Sequence, residues 1–100
     1  MDLAYFQNRI QATYGDRDRS RGLTATVAWL AEEVGELAKA TRKGSSADQI
    51  HELGDVFAWL VSLANQLEIS MEEAAAPFIE GCPKCQASPC ECPEAGRAQS

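Results

Sequence analysis

The fold is decided by one long stretch, residues 23–67, which reads LTATVAWLAEEVGELAKATRKGSSADQIHELGDVFAWLVSLANQL. Its apolar residues recur at spacings of three and four on both sides of a central Gly44-Ser45-Ser46, which is the spacing of amphipathic helices. Gly and Ser favour a turn between two such segments. The pattern therefore predicts helices at about 23–42 and about 47–67, joined as an antiparallel hairpin.

Two further helices are predicted beside this hairpin. Asp2 can cap a helix that ends near Ala12. The glycine-rich and charge-rich residues 15–22 are then expected to form a loop, because they offer little to bury. Ser70 opens a Ser-Met-Glu-Glu capping box, which predicts a fourth helix at about 71–80. The expected fold is all-α, a helical hairpin core with two flanking helices that form a four-helix bundle.

The chain divides into three parts by composition. Residues 1–81 are predicted to form the helical domain, residues 82–92 a cysteine-rich segment, and residues 93–100 a flexible tail. A chain of 100 residues buries a small core, so association with other copies is expected.

The overall composition excludes several classes of protein. The net charge of −6 disfavours stable binding to nucleic acid or to an anionic membrane. No apolar run approaches the roughly 18 residues that a membrane span needs. The N-terminus shows no signal-peptide pattern, so a cytoplasmic location is the simplest prediction.

Four carboxylates occupy matched positions across the predicted hairpin. Glu33 and Glu36 are three residues apart in the second helix, and Glu52 and Asp55 are three apart in the third, so each pair shares a helix face. Glu36 and Glu52 both lie eight residues from Gly44, whereas Glu33 and Asp55 both lie eleven. At about 1.5 Å per residue, an antiparallel hairpin would bring the four acids together roughly 10–17 Å from the turn.

Such a cluster favours a metal-dependent reaction on a phosphate substrate. Ionised carboxylates held together repel each other, and Mg²⁺ or Mn²⁺ would offset that charge while also binding phosphate oxygens. Hydrolysis of a phosphoanhydride is then the natural chemistry, with Glu32 as a spare carboxylate that can act as a base. A solvated acidic helix face is the alternative for each pair alone. A di-iron or di-manganese bundle usually places Glu-x-x-His on two helices, whereas His51 is the sole histidine here and precedes Glu52.

Two tryptophans and several cations flank the predicted cluster. Trp29 and Trp59 each lie fifteen residues from Gly44 and four residues from an acid of their own helix. They are candidates for stacking on a nucleobase, and packing in the hairpin core is the alternative. Lys39 and Arg42 are candidates for binding phosphates. The other cations near the cluster are Lys43, Arg17, Arg19 and Arg21. An ordinary surface role is the alternative for all of these cations.

Two motifs of the hairpin resemble a known family. Residues 32–37 read EEVGEL and residues 52–56 read ELGDV, which is similar to the EExGEL and ELGDV signature of MazG-type nucleotide pyrophosphohydrolases. The similarity extends over about residues 22–80 and includes LEISMEEA at 67–74.

The resemblance implies an all-α homodimer or homotetramer that depends on Mg²⁺ and hydrolyses a nucleoside triphosphate to the monophosphate and pyrophosphate. It implies metal-binding roles for Glu33, Glu36, Glu52 and Asp55, and in many members a role in removing noncanonical nucleotides. The non-enzymatic alternative is a zinc-stapled nucleotide-binding or protein-binding module.

All four cysteines lie close to the C-terminal end, as Cys82-Pro-Lys-Cys85 and then Cys90-Glu-Cys92. Four soft ligands this close together suit tetrahedral Zn²⁺, although the Cys-x-Cys pair is tighter than a usual second zinc knuckle. Redox disulfides, free thiols and pairing between subunits are the alternatives. A closed site with four cysteine ligands has no open position for a substrate, so its expected role is to staple the end of the last helix.

Overall fold

The computed structural model describes residues 1–93, and this part of the chain is all-helical with no β-strand. The α-helices are α1 (Leu3–Arg21), α2 (Leu23–Lys43), α3 (Ser46–Gln66) and α4 (Met71–Ala75), and a 3₁₀ turn (Ala76–Phe78) follows. The predicted all-α class is confirmed for these residues. Most of the predicted tail, residues 94–100, lies outside the described residues.

The hairpin of α2 and α3 forms as predicted, with helix ends within one residue of the expected positions. At the turn, Gly44 donates its backbone N–H to the carbonyl oxygen of Ala40 at 2.8 Å, and a Cβ added at Gly44 would lie 2.8 Å from that same oxygen. A reciprocal capping box between Ser45 and Asp48 then begins α3. The tight turn holds the two helices in a fixed register.

The expected loop at residues 15–22 is wrong, because α1 continues through it to Arg21. The dense charge is accommodated on the helix, where Asp16 pairs with Arg19 and Asp18 pairs with Arg21, each three residues apart. The helix ends at Gly22, whose φ of +88° favours glycine and whose N–H bonds to the carbonyl oxygen of Asp18.

The fourth helix is shorter than expected. Ser70 caps it as predicted by accepting the N–H groups of Glu72 and Glu73. The α-helix ends at Ala75, and the following 3₁₀ turn contains Pro77, which has no N–H to donate to a continuing helix. The side chain of Gln7 ties this region to α1, since it donates to the carbonyl oxygen of Ile69 and accepts the N–H of Met71, both at 2.8 Å.

Helix α3 lies at the centre of the structure and packs against both α1 and α2. Phe6 of α1 stacks on Phe57 of α3 with ring centroids 5.1 Å apart. Among the described residues, the buried apolar side chains are few: Ile10, Ala40, Val61 and Ala64. The core of a single chain is therefore small.

Part of the apolar surface of the hairpin remains exposed. We call this surface the apolar face. Its residues are 38–71% exposed. They are Leu23, Val27 and Val34 of α2, Ile50, Leu53 and Leu60 of α3, and Leu67, which directly follows α3. No helix within residues 1–93 is both long and apolar enough to cross a membrane.

Candidate active site

The hairpin places the acids of α2 close enough to those of α3 for their charges to interact. The pKa of Glu33 is raised above its ordinary value of 4.5, first by burial and then by the negative charge of Asp55, with Glu52 and Glu36 contributing further. A hydrogen bond from the Trp59 indole opposes this shift. The four acids that the sequence matched across the turn thus form one electrostatic cluster.

Three side chains of α3 form the tightest part of this cluster. His51, Glu52 and Asp55 each place a ligand atom within 4.8 Å of the other two. The His51 Nε2 lies 3.3 Å from a carboxylate oxygen of Asp55, four residues further along the helix. The structure thus brings His51 directly against an acid of the cluster.

The two tryptophans lie beside the acids and stack on each other. The rings of Trp29 and Trp59 are 5.9 Å apart and nearly parallel, with an interplanar angle of 13°. The guanidinium of Arg21 lies 4.6 Å from the centre of the Trp59 ring, a cation–π geometry. Because Trp59 also donates to Glu33, it connects the cation at the end of α1 to the acidic cluster.

A polar network at the junction of α1 and α2 holds Arg21 in this position. Arg21 donates to Asp18 at 2.8 Å and to the Thr26 hydroxyl at 3.3 Å, and Gln66 of α3 donates to the same hydroxyl at 2.7 Å. Asp18 is only 2% exposed, yet its Oδ2 has no hydrogen-bond partner within residues 1–93. An unpaired buried carboxylate oxygen is costly, and the pairing of the other Asp18 oxygen with Arg21 offsets part of that cost.

Sequence reasoning did not single out Asp18, because the residue was placed in a loop. The signal was present in the spacing, since Asp18 and Arg21 are three residues apart and would share a helix face. The two residues share a helix face only because α1 continues past Gly15.

Two cavities flank the acids. The first, of about 290 Å³, lies against α1 and is lined by Asp55 and Trp59 together with Tyr14, Arg17, Asp18, Arg21, Ala58 and Ser62. The second, of about 320 Å³, lies toward the hairpin turn and is lined by Glu36, Lys39, Ala40, Lys43, Gly44, Asp48 and Glu52. Each cavity therefore combines acids of the cluster with cationic side chains.

The remaining candidates differ in their placement. Lys39 and Lys43 both line the second cavity, which Glu36 also lines. Arg42 lines neither cavity. Glu32 is exposed and lines neither cavity. The cysteines Cys82, Cys85, Cys90 and Cys92 form a separate cluster, and they line neither of the two cavities beside the acids.

The sequence of this chain is similar to known proteins, and the family match covers the helices that carry the acids. The chain is 45% identical over 62 residues to the uncharacterized protein YpjD of Bacillus subtilis (strain 168), with 50% of this chain and 54% of the relative covered. The chain thus spans about half the length of this curated relative. The family model for the MazG nucleotide pyrophosphohydrolase domain matches residues 21–84, which include α2, α3, α4 and all four acids. The chain therefore belongs to the MazG nucleotide pyrophosphohydrolase domain family.

Proposed function

We propose that this protein hydrolyses nucleoside triphosphates to the monophosphate and pyrophosphate, with Mg²⁺ or Mn²⁺ bound at Glu33, Glu36, Glu52 and Asp55. Family membership supports the reaction class. The observation that carries the site is the close grouping of Glu52 and Asp55 with His51, whose ligand atoms lie within 4.8 Å of one another. The raised pKa of Glu33, caused first by burial and then by the charge of Asp55, supports adding the acids of α2 to this group.

The residues of the cluster fit a divalent cation. All four donors are hard carboxylate oxygens, the ligands that Mg²⁺ and Mn²⁺ prefer. The unfavourable charge at Glu33 is what a bound cation would relieve. When bound, such an ion neutralises the polyphosphate and makes a water molecule more acidic.

The side chains around the cluster can supply the other steps of the reaction. Water attacks the α-phosphorus, a new phosphorus–oxygen bond forms, and the bond to the bridging oxygen of the β-phosphate breaks, which releases pyrophosphate. Glu32, next to Glu33 on α2, is proposed to accept the proton of the attacking water. His51 is proposed to hold the carboxylate of Asp55, whose oxygen is 3.3 Å away, in a fixed orientation.

The two cavities suggest an orientation for the substrate. The first contains the aromatic side chains of Tyr14 and Trp59, so it suits a nucleoside that stacks on an aromatic ring. The second contains Lys39 and Lys43 and suits the departing pyrophosphate. Trp29 stacks on Trp59 and is proposed to hold that ring in place for the nucleobase. Arg42 is proposed to bind phosphate.

Self-association is part of the proposal. The apolar face is a set of large exposed side chains on the two helices that carry the acids, and a second copy would bury it as a homodimer or homotetramer. A cytoplasmic location would give the protein access to the nucleotide pool, where removal of noncanonical nucleotides is the proposed role.

Pyrophosphate release from a panel of canonical and modified nucleoside triphosphates tests the proposed function. We expect release by the wild-type protein with Mg²⁺ or Mn²⁺, none with EDTA, and a loss of at least about 100-fold in Glu36→Gln, since the change removes a metal ligand. Glu80→Gln is the matched control, because it removes an exposed carboxylate outside both cavities. Release that persists in EDTA would exclude metal dependence, and no release from any nucleotide would favour the binding module.

A further inference from the structure

The cysteine cluster is the feature that the proposed reaction leaves unexplained. All four thiols are free, and their sulfur atoms lie within 4.8 Å of one another. Three of the four, Cys85, Cys90 and Cys92, lie beyond the residues that the family model matches. The cluster is therefore a property of this chain that the MazG domain does not account for.

The distances between the sulfur atoms match a tetrahedral metal site. The Cys82 and Cys92 sulfurs are 3.6 Å apart, and those of Cys85 and Cys90 are 3.9 Å apart. A tetrahedron with zinc–sulfur bonds of about 2.3 Å has sulfur–sulfur edges of about 3.8 Å. A disulfide would require about 2.05 Å, so these separations exclude a bonded pair and fit four ligands around one ion.

Backbone amides point at the sulfur atoms, as they do around bound thiolates. The N–H of Lys84 donates to the Cys82 sulfur at 3.4 Å, and the N–H of Glu91 donates to the Cys85 sulfur at 3.2 Å. Cys92 donates its N–H to the Cys90 sulfur at 3.3 Å. Such bonds stabilise the charged thiolate, which is the form that binds a metal.

The backbone is folded tightly to bring the first two cysteines together. Gln86 directly follows Cys85 with a φ of +65°, in the left-handed region, and Cys82 accepts its N–H at 2.6 Å. Cys82 in turn donates its N–H to the carbonyl oxygen of Ala87 at 3.1 Å. A Cβ added at Gly81 would meet this turn at 3.1 Å. The turn is thus closely packed at its backbone.

This folded segment has almost no apolar core of its own. From Cys82 to Pro93 no residue is fully buried, and Cys90 is exposed. A segment this short does not bury enough apolar surface to offset the entropy of ordering it. A metal ion bound by four side chains would supply the missing stabilisation.

We propose that Cys82, Cys85, Cys90 and Cys92 bind one structural Zn²⁺ ion in a closed tetrahedral site. Four thiols lose their protons to the solvent on binding, and no oxidation or reduction takes place. The site has no open position, and its residues line neither cavity beside the acids, so the ion staples the chain after the 3₁₀ turn and takes no part in hydrolysis.

Metal analysis of the full-length protein tests this site without reference to activity. We expect about one zinc per chain after purification without added chelator, as for other closed Cys₄ sites. Growth or refolding with Co²⁺ should give the visible absorption and the sulfur-to-metal charge-transfer band of a tetrahedral cobalt thiolate. Titration of the wild-type protein with a mercurial reagent should release zinc in step with the modification of four thiols.

Variants separate the cysteine site from the carboxylate site. Cys90→Ser should lose zinc and the cobalt thiolate spectrum, whereas Glu36→Gln should keep both, because it alters only the acidic cluster. Iron or an iron–sulfur cluster in place of zinc, disulfide bonds seen by mass spectrometry, or four thiols that titrate without metal release would each overturn the assignment. The wild-type titration decides the question even where Cys90→Ser is insoluble, and a nucleotide assay that fails leaves the zinc result unaffected.

Discussion

Among the residues of the acidic cluster, Glu33 has a raised pKa. It lies where α2 faces α3, and burial together with the charge of Asp55 disfavours its ionised form. The Trp59 indole partly compensates by donating a hydrogen bond to it. The charge of Glu33 is unfavourable in the metal-free protein and would be favourable beside a bound cation. Removing that charge should therefore change stability in opposite directions in the two states.

Replacing Glu33 with Gln should therefore stabilise the metal-free protein at neutral pH. Because its pKa is raised in the folded protein, Glu33 stabilises the fold only when it is protonated. This contribution to the free energy of unfolding is complete below the ordinary pKa of 4.5, and it is lost as the pH rises through the higher pKa of the folded protein. Glutamine keeps the acceptor for Trp59 but never ionises. In EDTA, the melting temperature of Glu33→Gln should exceed that of wild type at pH 7, and the two should converge below pH 4.5.

With Mg²⁺ at pH 7, the order should reverse, because only the wild-type protein keeps the full set of ligands and gains stability from the bound ion. Thermal melts with and without the metal provide the measurement. A Glu33→Gln protein that is less stable than wild type in EDTA would contradict the electrostatic account, and Glu80→Gln controls for the general loss of one negative charge.

At the scale of elements, the junction of α1 and α2 decides how Arg21 reaches the site. One residue, Gly22, separates the two helices, and its φ of +88° combined with a ψ of 167° is a backbone conformation found almost only for glycine. Nothing lies within 4 Å of a Cβ placed there. Any effect of Gly22→Ala is therefore conformational strain and not a steric clash.

We expect Gly22→Ala to destabilise the protein by about 1–3 kcal/mol, which is the cost of a strained backbone at one residue. The melting temperature should fall by about 4–8 °C for each kcal/mol in a domain of this size. The matched control is Gly35→Ala, which also meets open space but lies inside α2. This control should raise the stability of the helix by about 0.5–1 kcal/mol.

Denaturant unfolding of both variants at one protein concentration makes the comparison. Equal stability of Gly22→Ala and wild type would show that the α1–α2 junction adopts a different backbone in solution, and it would remove the structural reason for the position of Arg21.

The small core and the exposed apolar face are properties of the whole molecule. The face lies on α2 and α3, the same helices that carry the acids, so a second copy bound there would stabilise the hairpin itself. Because a chain of this size has limited apolar area to bury, this contact should matter for stability as well as for assembly.

Placing a charge in the apolar face should dissociate the assembly. Leu53 belongs to the apolar face and is 56% exposed in the single chain. Leu53→Lys would bury an unpaired ammonium group in the interface between copies. We expect the wild-type protein to sediment as a dimer or tetramer and Leu53→Lys to sediment as a monomer. Tyr5→Lys, at a 57% exposed position on α1 outside this face, should keep the wild-type mass. A monomeric wild-type protein at micromolar concentration would rule out the proposed association.

The sequence by itself determined the hairpin and the placement of its acids. The helical period of 3.6 residues and the short Gly44 turn are local properties, so positions equally distant from the turn must lie side by side. The equal distances of Glu33 and Asp55 from Gly44 were enough to pair them, and the family signature pointed to the same residues. The cysteine spacing likewise indicated a metal site, although not the sulfur–sulfur distances.

Only the tertiary structure decided which charged residues join the site. Whether residues 15–21 form a loop or continue α1 depends on the packing of α1 against α3, which local composition does not reveal. The spacing of Asp18 and Arg21 allows their ion pair only once the helix continues. The same packing placed Arg21 over Trp59 and left one oxygen of Asp18 unpaired. The contact between Arg21 and Trp59 joins residues far apart in the chain. Its energy depends on how deeply both side chains are buried, which the sequence pattern alone does not show.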